Sequence, residues 1–286
     1  GDTTQPGAPV PTVTAHTTTW PPPGTRPERF WLGPDGTMAS TKPTESPTAG
    51  QDQSDAGASR FAVDPKLAER TTFDESTGSI FHALPKYDWQ QEPDGSAAVF
   101  VSEPFAEDQV FAGSASADLW IRTNSTSADI GVTLSEVRPD GKETFIQAGV
   151  LRAANRRVAK GSTALLPLHT GYESDAQPLT SNVWAEARVE VFPFAQIVRA
   201  GSRIRLSVHT PGGDRPRWSY IIDKQPDGTT IDIGHSAEHP SRLVMPLSPD
   251  LLAGTPYPAT VPPCPSLRGQ PCRAFVPYAN EPVNDR

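Results

Sequence analysis

An antiparallel β-sandwich with proline-rich ends is the fold this sequence predicts, on three observations. Apolar and polar residues alternate along a series of short segments between residues 96 and 248. That period of two gives a strand one core face and one outer face. Pro-Asp-Gly recurs at Pro34–Gly36, Pro93–Gly95, Pro139–Gly141 and Pro226–Gly228. In such a turn proline presets the first residue, aspartate caps its own backbone and glycine takes positive φ. Nineteen of the 32 prolines lie in the first 50 and last 38 of the 286 residues, and proline both fixes φ and removes a ladder donor. The chain thus reads as an irregular arm or linker over 1–95, a sandwich over 96–248 and an irregular tail over 249–286.

Within the arm, Asp64 and Pro65 open a short helix in DPKLAER, as N-cap and first helical residue. The arm's polarity is otherwise broken by Trp20, Phe30, Trp31 and Leu32, a group that would lie down on an apolar surface. The strands of the body follow in order. They are AVFVS (98–102), SADLWIRT (116–123), the set Ile130, Val132 and Leu134, and TFIQAGVLRA (144–153). Next come the alternating run from Val183 to Phe192, the set Ile204, Leu206 and Val208, SYIID (219–223), TIDIG (230–234) and SRLVMPL (241–247). The turns at 139 and 226 each fall between two of these strands, a hairpin signature. With no long amphipathic helix among them, the class is all-β.

The charge balance, 25 basic against 33 acidic residues for a net of −8, argues against nucleic acid, whose binding rests on clustered Lys and Arg. No apolar run approaches the ~18–20 residues of a bilayer span, so no membrane span is expected. Two cysteines occur, Cys264 and Cys272, with seven residues between them in a Pro- and Gly-rich loop without further Cys or His ligands for zinc. A disulfide between them is expected, and with it a secreted or extracytoplasmic location.

The search for catalytic chemistry finds little. There is no Gly-x-Ser-x-Gly elbow and no Gly-rich phosphate loop. His235-Ser-Ala-Glu-His239 matches the H-x-x-E-H spacing of inverted zinc peptidases. That chemistry needs both histidines one helical turn apart, whereas TTIDIG before them alternates as a strand and Pro240 follows. A hairpin loop fits better, and neither metal nor cofactor is expected. His169 and His209 stand singly, and Asn124-Ser125-Thr126 matches a glycosylation acceptor. The stretch from His209 to Trp218 is the most distinctive, because Asp214, Arg215, Arg217 and Trp218 follow two glycines. It reads either as a ligand or domain-contact loop, or as a sandwich-end loop held by a local Asp–Arg pair.

The body also resembles a known family. VFVSEPFAEDQVFAGSASADLWIRTNSTSADIGVTLSEVRPDGKETFIQAGVLRAANR carries Glu103-Pro104-Phe105, the small-residue strand Gly113–Ala117, Ala128-Asp129, Val137–Gly141 and Gly149–Arg152. VEVFPFAQIVRAGSRIRLSVHTPGG and HPSRLVMPL follow. In order, these resemble the C-terminal domain of the cocaine-esterase and Xaa-Pro dipeptidyl-peptidase family of serine hydrolases, over residues 97–248. Trp20-Pro-Pro-Pro and Arg29-Phe-Trp-Leu-Gly resemble the strand leaving that family's α/β-hydrolase domain. The resemblance implies a jelly roll similar to galactose-binding modules. It also implies a non-catalytic role in shaping the active-site cleft, with the α/β-hydrolase catalytic domain as partner and the triad upstream of this segment. The contact candidates are then Trp20, Phe30, Trp31, Asp214, Arg215, Arg217 and Trp218. The alternative is an autonomous carbohydrate-binding module, since one sandwich architecture hosts many functions.

Overall fold

The computed structural model describes residues 13–44, 57–69, 90–212, 221–259 and 272–279. Alternation along the chain becomes two layers. The first contains β4 (Ala97–Ser102), β6 (Asp129–Val137), β7 (Lys142–Arg152) and β9 (Arg203–His209), paired antiparallel in the order β7-β6-β9-β4. The second is built on β5 (Gln109–Thr123), which pairs along one edge with β8 (Ala185–Val198). Along its other edge lie β11 (Arg242–Leu247) and β10 (Thr230–Gly234). β1 (Arg26–Leu32) extends the second layer from β11, and β3 (Ala58–Ala62) extends it from β10. The short β2 (Thr37–Ala39) runs parallel to β4 and antiparallel to β1, and so joins the layers. The result is an antiparallel β-sandwich.

The core is what the alternation requires. Ala115, Ala117, Leu119 and Ile121 of β5 face inward against Val132 and Leu134 of β6 and Leu206 and Val208 of β9, all buried in one cluster. The intervening residues of β5, from Ser116 to Arg122, face outward. Where β7 meets β8, the layers approach so closely that a Cβ at Gly149 would collide with the carbonyl oxygen of Glu190. Backbone cannot give way there, so only glycine fits.

Most of the expected strands are present, and the helix (α1, Pro65–Glu69) starts with the Lys66 amide donating to Asp64 Oδ1 at 3.0 Å. Three expectations are corrected. The arm is not irregular throughout: β1, β2 and β3 are integral strands, and Phe30 and Leu32 enter the core. Proline misled here, because Pro27 pairs with Pro246 where β1 has β11 as its one partner strand, and a missing donor is harmless there. The tail likewise returns to the body as β12 (Cys272–Ala274), paired with β7. Finally, the described part of SYIID, residues 221–223, is not a strand. Asp223 is held instead by side chains: its amide donates to Asp129 Oδ2 at 2.6 Å and Ser127 donates to its carboxylate at 2.6 Å. Among the described residues no helix is long and apolar enough to cross a membrane.

Candidate functional site: the outer faces of the two layers

The first layer's outer face is sealed by the chain itself. Ser135, Glu143, Arg205, Ser207 and His209 alternate outward from their strands and are nevertheless buried. Arg205 donates to both oxygens of Glu143 at 3.0 and 3.1 Å, Arg273 of β12 donates at 2.8 Å, and Ser135 at 2.7 Å. Burial alone would raise the Glu143 pKa, but the Arg205 and Arg273 guanidiniums outweigh it and hold the carboxyl below its ordinary range. Phe275 lies 5.5 Å from the Arg205 guanidinium. Tyr278 then pins the strap: its hydroxyl donates to the Pro93 carbonyl at 2.6 Å and accepts from the Ser96 and Ala97 amides, each at 3.1 Å.

The second layer's outer face is built on the same principle but is only partly covered among the described residues, where the Thr163 and Ala164 carbonyls accept from Arg188 at 2.7 and 3.1 Å and the His239 ring packs on Trp120 and Trp184. Cross-strand register sets Arg188 beside Asp118, Asp118 beside Arg242, and Arg242 beside Trp31. Asp118 accepts from Arg188 at 2.8 Å, from Arg242 at 2.8 and 3.1 Å, and from Ser116 at 2.6 Å. Arg242 stacks 4.9 Å from the centre of the Trp31 ring, and Lys42 lies 5.7 Å from it. Two residues further along β5, Trp120 meets the His239 ring at 5.0 Å. Two further still, Arg122 and Arg60 share Asp232 at 2.7 and 2.6 Å. Trp184 carries the Arg122 guanidinium and the His239 ring, each at 4.6 Å. Three half-buried tryptophans and four arginines thus share one sheet face.

Of the contact candidates, Trp31 lies on this face, Phe30 is in the core, and Trp20 is 52% exposed. Asp214, Arg215, Arg217 and Trp218 lie outside the described residues, as does Cys264. Cys272 opens β12, and no described cysteine is a free thiol. The H-x-x-E-H segment is a tight hairpin, with His235 bridged to Pro240. β10 and β11 flank it along the same edge of β5, and His239 leans on Trp120 and Trp184. The two histidines therefore do not share a helical face, and burial holds both imidazoles below their ordinary pKa range. His209 is buried between the Thr133 hydroxyl at 2.8 Å and the Thr210 carbonyl at 2.7 Å, and His169 holds the Arg188 carbonyl oxygen at 2.9 Å. The Asn124 amide is committed to the neighbouring turn: it donates to Gly228 at 3.1 Å and accepts from the Thr230 amide at 3.0 Å.

Sequence reasoning missed the two outer carboxylates. The outward order Asp118, Trp120, Arg122 was visible in SADLWIRT, but the arginines completing the clusters come from strands 70 and 124 residues away.

Comparison with known proteins agrees with this architecture. Residues 3–244 match the family model described as the X-Pro dipeptidyl-peptidase C-terminal non-catalytic domain. Two proteins that carry serine-esterase names, from Mycobacterium bovis and Mycobacterium tuberculosis, are each 26% identical over 234 residues. The match covers 80% of this chain and 35% of each relative, so the chain spans about a third of their length. Among solved structures, a CocE/NonD family hydrolase from Staphylococcus aureus aligns with TM-score 0.57 and 14% identity, over 81% of this chain and 38% of that one. An aminopeptidase from a marine-sediment thaumarchaeon gives 0.58 and 18%, with the same coverage. An α-amino acid ester hydrolase gives 0.55 and 20%, over 78% of this chain and 36% of that one. At these identities the structural likeness is one of fold, and the family model decides membership: this chain belongs to the family of X-Pro dipeptidyl-peptidase C-terminal non-catalytic domains.

Proposed function

We propose that this chain is the jelly-roll portion of a serine hydrolase of the acyl-esterase or Xaa-Pro dipeptidyl-peptidase type, docking the catalytic domain and shaping one side of its active-site cleft. The observation that carries the docking is the partly exposed Trp–Arg outer face of the second layer. Trp and Arg are the residues that dominate the energetic centres of protein interfaces. Here Trp31, Trp120 and Trp184 stand with Arg122, Arg188 and Arg242 on one sheet. The Asp118 and Asp232 carboxylates lie deeper than the arginines around them, so the surface presents mainly cations and ring edges, with the exposed Glu186 beside Trp120. Its partner is then an acidic, partly apolar patch of the catalytic domain. With Cys264 joined to Cys272, the complex would work outside the cytoplasm.

The test expresses the parent's catalytic domain separately, with and without this chain. Association is followed by sedimentation and turnover by p-nitrophenyl esters and Xaa-Pro anilides. The expected result is no turnover by this chain alone, a stable complex, and altered KM or kcat when the chain is present. A catalytic domain that ignores the chain in both assays overturns the reading. Three tryptophans on one face also bear on a carbohydrate-binding module, but cations and a histidine ring already lie against Trp31 and Trp184. Saturable micromolar glycan binding, abolished by Trp184→Ala, would favour that module instead.

A further inference from the structure

The four Pro-Asp-Gly copies share a tripeptide but not a local structure, and the difference bears on the chemistry of the aspartate. An aspartate followed by glycine is open to one intramolecular reaction, attack of the glycine amide nitrogen on the aspartate side-chain carboxyl carbon. Three things favour it. The carboxyl must not be held ionised by a cation, the peptide group between the two residues must have no hydrogen bond to lose, and the next residue must lack a Cβ that would hinder approach. Glycine meets the last condition at every copy, so the fold decides through the other two.

At Pro139–Gly141 the fold opposes the reaction. Arg138 donates to the Asp140 carboxylate from Nη2 at 2.6 Å and from Nε at 3.2 Å, and the Lys142 amide donates to it at 3.2 Å. Burial alone would raise the Asp140 pKa, but the Arg138 guanidinium outweighs it and holds the carboxyl below its ordinary range. The Gly141 amide is occupied as well, donating to the Arg138 carbonyl at 3.1 Å. At Pro34–Gly36 the glycine itself is buried. The copies at 93 and 226 are built alike and differ from both. Each turn is closed by the residue after glycine: the Ser96 amide donates to the Pro93 carbonyl at 3.0 Å and the Thr229 amide to the Pro226 carbonyl at 3.2 Å. The Ser96 and Thr229 hydroxyls donate to the same carbonyls at 2.7 Å. Among the described residues, the peptide groups Asp94–Gly95 and Asp227–Gly228 make no hydrogen bond through either the aspartate carbonyl or the glycine amide. Both aspartates and both glycines are exposed, and neither carboxylate has a partner there.

We propose that Asp94 and Asp227 are sites of spontaneous isomerisation to isoaspartate, while the fold protects Asp140 and Asp35. The glycine nitrogen forms a bond to the aspartate Cγ, and its proton leaves with the carboxyl hydroxyl as water, giving a succinimide ring. Water then adds to one of the two ring carbonyl carbons, whose bond to the nitrogen breaks. Opening at the Cγ carbonyl restores aspartate. Opening at the main-chain carbonyl gives isoaspartate, with the chain running through the side-chain methylene and no net change in composition. At Asp94 the longer chain falls where the strap is pinned, since the Tyr278 hydroxyl bonds the Pro93 carbonyl on one side and the Ser96 and Ala97 amides on the other. Isomerisation there loosens the strap over the first layer. The proposal does not depend on the hydrolase reading.

The experiment incubates the whole chain at neutral pH, with a second sample kept unfolded in urea. Isoaspartate at each of the four sites is followed by peptide mapping, with electron-transfer fragmentation to distinguish the isomers. In the folded chain Asp94 and Asp227 should each convert at least fivefold faster than Asp140 and Asp35. In urea the four rates should converge, because each aspartate then has the same two neighbours. Equal rates at all four sites of the folded chain, or the same bias persisting in urea, overturns the proposal. The effect on the strap is read by hydrogen exchange at the Ala97 amide. Aged wild-type chain should lose protection there in step with isoaspartate at 94. Equally aged Asp94→Glu should keep it, because glutamate would have to close a larger ring. Full protection at Ala97 in chain that carries isoaspartate at 94 overturns the link to the strap.

Discussion

Glu143, Asp118 and Asp232 each sit between two arginines, yet the first lies in a dry seam and the other two at a surface. Glu143 and its main partner Arg205 are 1% and 2% exposed, under Arg273, Phe275 and Tyr278 of the chain's own strap. Around Asp118 the arginines are 24% and 34% exposed, and around Asp232 they are 16% and 44% exposed. The same chemistry therefore has different consequences. A sealed ion pair has lost its water and depends wholly on its partners. An exposed one is still hydrated, contributes little to the isolated chain, and remains available to a second surface. The first layer is closed by the strap of β12 and Tyr278, whereas among the described residues the arginines of the second keep part of their surface in solvent.

The most direct way to break this contrast is to remove one arginine from each kind of cluster. Arg205→Ala should destabilise the chain by about 3 kcal/mol, because Glu143 then stays buried with Arg273 as its remaining cation. Urea midpoints measure it, and a loss no larger than that of Arg242→Ala would erase the distinction. The next effect concerns what holds the strap. If Cys264 and Cys272 are joined, replacing both with serine should cost about 2–3 kcal/mol through the loop it reopens. It should also loosen β12 and Tyr278 before the rest of the sandwich, read by hydrogen exchange at Ala274. Two thiols that alkylate fully in unreduced protein would refute the bond.

How much of this was legible in the sequence follows from the range of the interactions. Inward alternation in β6 and β9, and the Pro139–Gly141 hairpin between β6 and β7, are local, and all could be read directly. β1 could not, because Pro27 resembles a breaker until its pairing with Pro246 is known. β12 was hidden by the prolines around it, and three residues carry too little alternation to register. The resemblance to the hydrolase family lay in ordered local motifs and was legible. The clusters on both outer faces were not, since each unites residues whose sequence separation is set only by the wiring of strands. For the candidate loop from Asp214 to Trp218, the reading stays where the sequence left it.

The partly exposed face gives a smaller effect in isolation and sharpens the contrast from the other side. Arg242→Ala should lower the chain's own stability by no more than about 1 kcal/mol, the scale of an exposed pair with a cation–π contact. In the proposed full-length hydrolase, the pair Trp31→Ala and Arg242→Ala should weaken domain association well beyond that. Equal, small losses in both settings would show that this face meets nothing.

The least effect is expected from pH, and it tests whether burial acts on each carboxylate as the contacts imply. Glu143 is held below its ordinary value of 4.5. Its stabilisation is therefore complete above that pH and is lost as pH falls through the depressed folded value. Glu136, buried with Gln196 donating at 2.8 Å, is instead raised by burial. The fold binds that proton more tightly than the unfolded chain does, so Glu136 adds stability as pH falls from neutrality towards 4.5. His235 and His239, both held down by burial from 6.5, act in the opposite sense over the same window, because the unfolded chain takes up their protons first. Glu136→Gln keeps the shape and removes the offsetting gain. Urea midpoints at pH 7, 6 and 5 should then decline more steeply in the variant than in the wild type, by about 1 kcal/mol or less across the series. Below pH 4.5 both proteins should lose the Glu143 contribution alike. Parallel curves from pH 7 to 5 would mean that Glu136 is not protonated by the fold, and that this part of the first layer is wetter than its burial indicates.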